Sequence, residues 1–302
     1  MFPLSVVWNT ATLAIIIGYL TVEYSSYFPS FIHDLYLFGK VRKLHGFNLR
    51  DNILQVPKSW FRHFYLTGVV VNSTVLAVTL YTVLGTGVWP EWIKDFLAHI
   101  GHPGKDTEDL ELSTPLAMVL ALVMEEIQVI RRTIETCFIN SYSSSKMSLM
   151  IYLVGILFYS SIGISILSLS RASQVSYDDI SSLSWMQWYA LALFVYASYK
   201  QYSVNKKMAK LRQDKNGNVV DRKHHIPHGD LFEYVSCPHF LMEIIIYFAI
   251  STVVGWEHEV CLYLWVFVLT NQLIEGYLVH RWYNETFTRY PPERKAVIPY
   301  IF

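Results

Sequence analysis

The hydrophobic run near residue 240 carries ionisable side chains that could do chemistry. It lies within IPHGDLFEYVSCPHFLMEIIIY, residues 226–247. On a helix, His239, Glu243 and Tyr247 are spaced i, i+4, i+8 and therefore share one face. Ionisable groups in a helix apolar enough to enter a bilayer are costly, and they normally face a cavity or a partner. This face predicts either a polar cavity or a buried network that only holds helices together.

A second apolar run near the end of the chain has a similar pattern. Asn271 and Glu275 are spaced i, i+4, and His280 follows them at the end of the run. If both runs are helical, their polar faces predict a polar cavity that opens toward the basic loops.

Arginine side chains near these runs could bind phosphate. Arg132, Arg212 and Arg294 are the candidates, because the arginine fork matches phosphate geometry. The alternative is that basic residues beside membrane helices only set the topology. The sequence contains no GxGxxG, P-loop or HExxH motif, which excludes a Rossmann site, a Walker site and a zinc-protease site. No metal site is expected.

Two further segments offer polar groups at helical spacing. VPKSWFRHFY, residues 56–65, places His63 and Tyr65 at a membrane entry, where an aromatic belt with a basic anchor is the alternative to a proton donor. EEIQVIRRTIET, residues 125–136, contains an i, i+4 pair of Arg131 and Glu135 that predicts an ion pair within one helix.

The composition indicates a membrane protein. Of 302 residues, 53% are hydrophobic and only 16% are charged, whereas soluble domains have about 25% charged residues. The net charge of zero gives no general attraction to nucleic acid. Because a membrane helix needs about 20 apolar residues, the sequence predicts an all-α membrane domain over residues 1–302. The predicted spans are 6–28, 61–84, 114–138, 147–169, 184–202, 235–255 and 260–279.

The loops between these spans alternate in charge. The loops at 29–60 and 200–234 are basic, and the loop around 85–113 is acidic. The positive-inside rule therefore predicts a lumenal N-terminus and a cytosolic C-terminus. A glycan on Asn284, in the sequon Asn-Glu-Thr, would overturn this orientation. A seven-span receptor or transporter is the alternative from a different functional class.

Two blocks of the sequence resemble the steroid 5-alpha-reductase family. IPHGDLFEYVSCPHFLMEIIIY is similar to that family's IPxGxxFEYVSxxNxxxE block, and RWYNETFTRYPPERKAVIPYIF is similar to its C-terminal block. The most family-like part is residues 200–302, and QVIRRTIET adds weaker support. VPKSWFRHFY, DLFEYVS and DKNGNVVDRKHHIP resemble the polyprenol (polyprenal) reductase branch.

The resemblance implies a seven-helix membrane enzyme that uses NADPH to saturate a C=C bond conjugated to a carbonyl. The branch implies reduction of the α-isoprene bond of polyprenal toward dolichol, in the endoplasmic reticulum membrane, with a long isoprenoid lipid as substrate. Dolichol phosphate then carries glycans for protein N-glycosylation. The alternatives are a 3-oxo-5-alpha-steroid 4-dehydrogenase and an enoyl-thioester reductase.

The resemblance also implies site residues. The positions that are similar to the family's cofactor contacts are Arg132, Asn205, Arg212, Gly229, His239, Glu243, Tyr283 and Arg294. Asn205 and His239 replace the Asp and Asn of the steroid enzymes. The family's carbonyl-polarising Glu falls near His63 and Tyr65, and its Tyr falls near Val129, which cannot donate a hydrogen bond. Tyr65 is therefore expected to be the donor, with His63 as its partner, and His280 to help fix the nicotinamide.

Overall fold

A computed structural model describes most of the chain. The described residues are 3–28, 55–100, 113–140, 146–170, 172–176, 178–214, 218–220 and 223–302. They are mostly helical, and a helix occupies each of the seven predicted spans. The helices are α1 Leu4–Glu23, α2 Phe61–Tyr81, α3 Glu91–Ile100, α4 Pro115–Ile134, α5 Leu149–Leu167, α6 Asp178–Ser181, α7 Trp185–Lys210, α8 Pro238–Val254 and α9 Glu259–Thr286.

Four helical stretches are long and apolar enough to cross a bilayer. They are Leu4–Glu23, Lys58–Thr86, Leu149–Leu167 and Glu259–Thr286. Most of each apolar window lies on the outer surface of the protein, where it can contact lipid. α8 is apolar but has only 17 residues. The chain is therefore a multi-pass membrane protein, while the count of seven spans stays a prediction.

The helices begin where the sequence provides capping groups. The Thr114 side chain accepts from the Ala117 N–H before α4, and Pro115 fills the first position of that helix, where its missing N–H costs nothing. Ser184 and Gln187 form a reciprocal capping box at the start of α7. These caps satisfy backbone donors that would otherwise be unpaired at the helix ends.

Two helices run beyond their predicted spans. α7 continues to Lys210 instead of residue 202, and α9 continues to Thr286 instead of residue 279. The apolar run predicts only the part of a helix within the hydrocarbon layer, whereas polar residues with good helix propensity extend it. The added turns carry Asn205 and Tyr283, so they matter for the site.

The all-α prediction misses one small antiparallel strand pair. β1, Gln55–Pro57, pairs with β2, Lys146–Ser148, with Val56 opposite Met147 and both side chains buried. The residue before a proline favours extended backbone, which explains the short strand before Pro57. Helix α3 also lies within the predicted second loop, where Ile93 and Ile100 bury its apolar side.

Polar and small residues bring the central helices together. Asn72 of α2 donates to the Leu122 carbonyl at 3.2 Å and to the Glu126 carboxylate at 2.8 Å, both on α4. On α5, a Cβ at Gly163 would lie 2.6 Å from Asn72 Oδ1. Only a glycine allows this approach, and small residues with interhelical hydrogen bonds are how membrane helices associate.

The two blocks that carry the family resemblance pair with each other in space. Ser236 N–H donates to the Lys295 carbonyl at 2.8 Å, and Cys237 N–H donates to the Ala296 carbonyl at 3.0 Å. A Cβ at Gly276 of α9 would overlap the Val297 side chain, so the glycine makes room for the C-terminal segment. The C-terminal segment is thereby fixed against α8 and α9.

Part of the charge pattern lies outside the described residues. Residues 29–54 and 101–112 contain most of the charges of the first two loops, on which the predicted orientation partly depends. The predicted orientation therefore stays a prediction.

Candidate active site

A cavity of about 320 Å³ lies where the polar ends of several helices meet. The ends of α4, α7 and α9 and the start of α8 all contribute side chains to it. Five of the eight expected cofactor residues line it: Arg132, Asn205, Arg212, His239 and Tyr283. Lys58, His224, His225 and Glu275 add further ionisable groups to the lining. The lining is therefore polar and rich in cations.

A buried carboxylate fixes the inner wall of the cavity. Glu135 is fully buried and accepts hydrogen bonds from the guanidinium groups of Arg131 and Arg132. Asn205 Nδ2 donates to the same carboxylate at 2.7 Å. The predicted ion pair between Arg131 and Glu135 is present. Because the carboxylate also binds Arg132 and Asn205, it holds two cavity residues from different helices in place.

Glu243 lies behind the cavity in a network of amides. Its carboxylate accepts from Gln128 Nε2 at 3.3 Å and from Gln201. Gln201 also donates to the His239 carbonyl at 3.0 Å. All the side chains concerned are buried or nearly so. The network joins α4, α7 and α8 next to the cavity. It agrees with the interpretation that the polar face of α8 takes part in a buried network between helices.

Tyr65 lies next to this network, in the hydrophobic core of the protein. Arg132 donates to its hydroxyl at 2.9 Å. The ring of Tyr65 packs on that of Tyr159, with 4.7 Å between their centres. Tyr65 is buried, yet Arg132 connects its hydroxyl to the cavity.

His63 does not point the same way as Tyr65. Its Nδ1 lies 3.2 Å from the Tyr152 hydroxyl, and its ring is 5.3 Å from that of Trp60. Residues two apart on an α-helix point about 200° apart, which explains the divergence. The structure thus brings Tyr65 to Arg132 instead of to His63.

His280 lies at the far side of the cavity wall. Its Nδ1 is 2.6 Å from Ser236 Oγ, and its Nε2 is 3.0 Å from Asn284 Nδ2. Ser236 lines the cavity and shares a second hydrogen bond with Tyr290. His280 therefore contacts the cavity lining through Ser236.

Arg294 and Gly229 support the loop before α8. Arg294 is almost fully buried and donates to the Pro227 carbonyl at 2.9 Å and to His228 at 3.2 Å. Gly229 has a φ of +80°, which favours glycine, and its N–H donates to the Glu233 carboxylate. This hydrogen bond, with the charge of Arg294, lowers the pKa of Glu233. Neither Arg294 nor Gly229 is among the side chains that line the cavity.

Three residues of the site make contacts beyond those that the sequence predicts. Gln128 and Gln201 bind Glu243, and Glu135 binds the two arginines. The spacing of Gln128, Arg131 and Glu135 indicates contacts within one helix only. No sequence signal marks Gln201, because its partners are on α4 and α8, far away in the chain.

The comparisons with known proteins show which family the chain belongs to. The profile of the 3-oxo-5-alpha-steroid 4-dehydrogenase family matches residues 145–302. The polyprenal reductase of Xenopus tropicalis is 34% identical over 250 residues, which are 82% of this chain and 80% of that protein. The chain belongs to the steroid 5-alpha-reductase family.

Other relatives extend the match over more of the chain. The polyprenal reductase of Caenorhabditis elegans is 34% identical and covers 89% of this chain and 87% of its own length. The polyprenal reductase of Homo sapiens is 28% identical and covers 99% of this chain and 96% of its own length.

This membership confirms the resemblance based on the two sequence blocks. It also shows that the protein is a C=C reductase, so the alternative of a seven-span receptor or transporter is excluded. The family match begins at residue 145, well before the segment 200–302 that carries the most family-like motifs.

Proposed function

We propose that the protein reduces the α-isoprene C=C bond of polyprenal with NADPH, giving dolichal on the route to dolichol. The relatives named polyprenal reductase support the substrate, since they match most of this chain. The aldehyde is favoured over the alcohol because an allylic alcohol does not activate the C=C bond for hydride addition.

The observation that carries the proposal is the position of Arg132. This residue lines the cation-rich cavity and also donates to the Tyr65 hydroxyl in the apolar interior. It therefore joins a region suited to a charged cofactor with a region suited to a lipid. A reductase that combines a soluble dinucleotide with a membrane lipid needs such a junction.

The residues of the cavity fit a phosphorylated dinucleotide. Arg132, Arg212 and Lys58 supply positive charge, and Asn205 and Tyr283 supply neutral hydrogen-bonding groups. Arginine binds phosphate with strong, charge-assisted hydrogen bonds. We assign these residues, with His239, to the wall that contacts the cofactor. Glu243, Gly229 and Arg294 complete the proposed set, and the last two act through the loop that precedes α8.

The proposed chemistry depends on a hydrogen-bond donor to the substrate carbonyl. When bound, the cofactor supplies a hydride to the carbon β to that carbonyl. Tyr65 accepts from Arg132, which leaves its own O–H available for the carbonyl oxygen. A donor at this position stabilises the negative charge that develops on the oxygen. Tyr65 is therefore the proposed electrophilic group.

His63 and His280 remain proposals with more distant contacts. His63 is proposed to act near the membrane entry, where it lies beside Tyr152. His280 is proposed to fix the nicotinamide end of the cavity through Ser236. Single substitutions of each histidine to Gln, assayed for turnover and for NADPH affinity, test these two roles.

The proposed membrane topology follows from which helix ends meet at the cavity. α4, α7 and α9 end there, whereas α2 and α8 begin there. This alternation supports one domain of seven spans, with the cavity and the C-terminus on the cytosolic side, where NADPH is available. We place the protein in the endoplasmic reticulum membrane, where dolichol phosphate serves N-glycosylation. Detection of a glycan on Asn284 in intact membranes would contradict this proposed orientation.

Product analysis tests the proposed function directly. Membranes containing the protein are incubated with NADPH and polyprenal, polyprenol, a 3-oxo-4-ene steroid or an enoyl thioester in separate reactions. Dolichal from polyprenal alone is the expected result. Reduction of the steroid alone would favour the activity that the matching family profile describes. Reduction of an enoyl thioester only would favour the remaining alternative.

A further inference from the structure

Glu125 of α4 is a buried carboxyl that the proposed mechanism does not use. Its exposed fraction is 1%, and among the described residues neither of its oxygens has a hydrogen-bond partner. Buried polar groups are normally paired, so each exception requires an explanation. A buried carboxylate without a cation is costly, which favours the neutral acid at this position.

Tyr247 of α8 is a second unpaired group at the same depth. It is 1% exposed, and its hydroxyl has no hydrogen-bond partner among the described residues. It is close enough to Glu125 for the two groups to interact electrostatically. Two polar groups from different helices thus lie near each other in the interior, and both have unused hydrogen-bonding capacity.

The packing of α4 against α8 explains why these two residues meet. The hydrogen bond between Gln128 and Glu243 fixes the two helices next to each other. Both helices have one end at the cavity, but they run in opposite directions. One turn deeper than this hydrogen bond, α4 presents Glu125 and α8 presents Tyr247. The pair therefore forms the next layer below the cofactor cavity.

The surroundings of this layer are suited to the reacting end of a lipid. Tyr247 lies 6.0 Å from the ring of Phe158, and Phe158 packs against Trp8 and Phe267. Tyr65 is near enough to Tyr247 to interact with it electrostatically. An acid, two phenols and a cluster of aromatic rings thus lie together beyond Arg132.

We infer that Glu125 is the proton donor of the reaction and that Tyr247 forms with it a second polar subsite for the unsaturated aldehyde. This inference rests on the proposed function. Hydride addition at the β carbon moves the C=C electron pair onto the α carbon and the carbonyl oxygen as an enolate. The α carbon then bonds to the proton that leaves Glu125. The resulting carboxylate regains a proton from water before the next turnover.

The neighbouring Glu126 provides a matched control. Its carboxylate accepts from Asn72 at 2.8 Å and from Ser73 at 2.7 Å, so it faces α2 and not α8. Glu126→Gln makes the same chemical change one residue away, outside the proposed subsite. It is expected to leave turnover within about threefold of the unsubstituted protein.

The first test is turnover with polyprenal. Glu125→Gln should lower kcat by about 100-fold or more, because general acid catalysis contributes on this scale. NADPH affinity should stay within about threefold, since Glu125 does not line the cavity. Glu125→Asp keeps an acid and should recover part of the lost rate. Turnover of Glu125→Gln close to that of the unsubstituted protein would overturn the inference.

The second test is infrared spectroscopy, which detects the protonated carboxyl group of Glu125 without requiring turnover. A protonated-carboxyl band should be present in the unsubstituted protein and in Glu126→Gln, but missing in Glu125→Gln. It should shift when polyprenal is added without NADPH. Identical spectra for all three proteins would also overturn the inference. If Glu125→Gln does not fold, Tyr247→Phe removes only a hydroxyl and should both slow turnover and reduce the polyprenal-induced shift.

Failure of the proposed function has a different signature. In that case the unsubstituted protein makes no dolichal, but the band of Glu125 is still present and can be tested with the 3-oxo-4-ene steroid. A shift with the steroid would support the subsite for another unsaturated carbonyl substrate. No shift with either compound would overturn the subsite.

Discussion

Arg132 donates a hydrogen bond to the Tyr65 hydroxyl over 2.9 Å, and its guanidinium carbon lies 4.9 Å from the centre of the Tyr65 ring. The same guanidinium binds Glu135. One cation therefore orients a phenol, is neutralised by a buried carboxylate and lines the cation-rich cavity. The arrangement couples the position of Tyr65 to the wall of the cavity.

Tyr65→Phe is expected to lower kcat with polyprenal by about 100-fold or more, because it removes the proposed donor to the carbonyl oxygen. NADPH affinity should change little, since Tyr65 does not line the cavity. Steady-state kinetics and nucleotide binding measure the two effects. Tyr196→Phe is the control, as Tyr196 is half exposed on α7. Equal kcat values for Tyr65→Phe and the control would contradict the assignment.

Glu135→Gln is expected to destabilise the protein. The change leaves Arg131 and Arg132 without their buried carboxylate, and losing one partner of such a pair costs about 3 to 5 kcal/mol. Thermal unfolding in detergent should show a clear drop in midpoint, together with weaker NADPH binding. Glu91→Gln removes only an exposed pair with Lys94 and should leave the midpoint almost unchanged. A midpoint for Glu135→Gln equal to that of this control would refute the structural role.

Arg212→Ala is expected to raise the Kd for NADPH by about 10- to 100-fold, since a charge-assisted hydrogen bond contributes about 1.5 to 3 kcal/mol. Arg212→Lys should recover only part of the affinity, because lysine lacks the planar fork. Arg289→Ala, in the exposed tail, removes the same charge away from the cavity. The assignment fails if both alanine variants weaken binding equally, since that result indicates a general charge effect.

Glu233→Gln is expected to destabilise the loop before α8 in a pH-dependent way. The Gly229 N–H and the Arg294 charge lower the pKa of Glu233 below its ordinary value of 4.5. The carboxylate therefore contributes stability above pH 4.5, and this contribution is lost as the pH falls through the lowered pKa. The difference in thermal midpoint between the two proteins should be constant near neutral pH and shrink below pH 4.5. A difference that persists unchanged at pH 3 would be inconsistent with this linkage.

The sequence predicts the helices well because each is marked by an apolar run. It does not predict where α7 and α9 end, since hydropathy reports only the part of a helix that lies in the hydrocarbon layer. That limit affects the site, because Asn205 and Tyr283 lie on the added turns. The strand pair at Val56 and Met147 is also missed, as each strand has only three residues.

The site itself is only partly readable from sequence. The face of His239 and Glu243 follows from helical spacing, and motif similarity indicates Arg212 and Tyr283. The partners of these groups depend on which helices are neighbours, and no local pattern encodes that. Gln201 meets Glu243 across 42 positions of sequence, and Arg132 meets Tyr65 across 67.

The pairing of the C-terminal segment with residues 234–237 has a consequence for genetics. Arg294 donates to the Pro227 carbonyl in the loop before α8, and Gly276 of α9 makes room for Val297 of the same C-terminal segment. Inherited changes at either segment should therefore produce one shared phenotype, impaired use of the cofactor, although the residues of the C-terminal segment are not among those that line the cavity. Because both disrupt a single contact, a double variant should be no more severe than the worse of the two single variants.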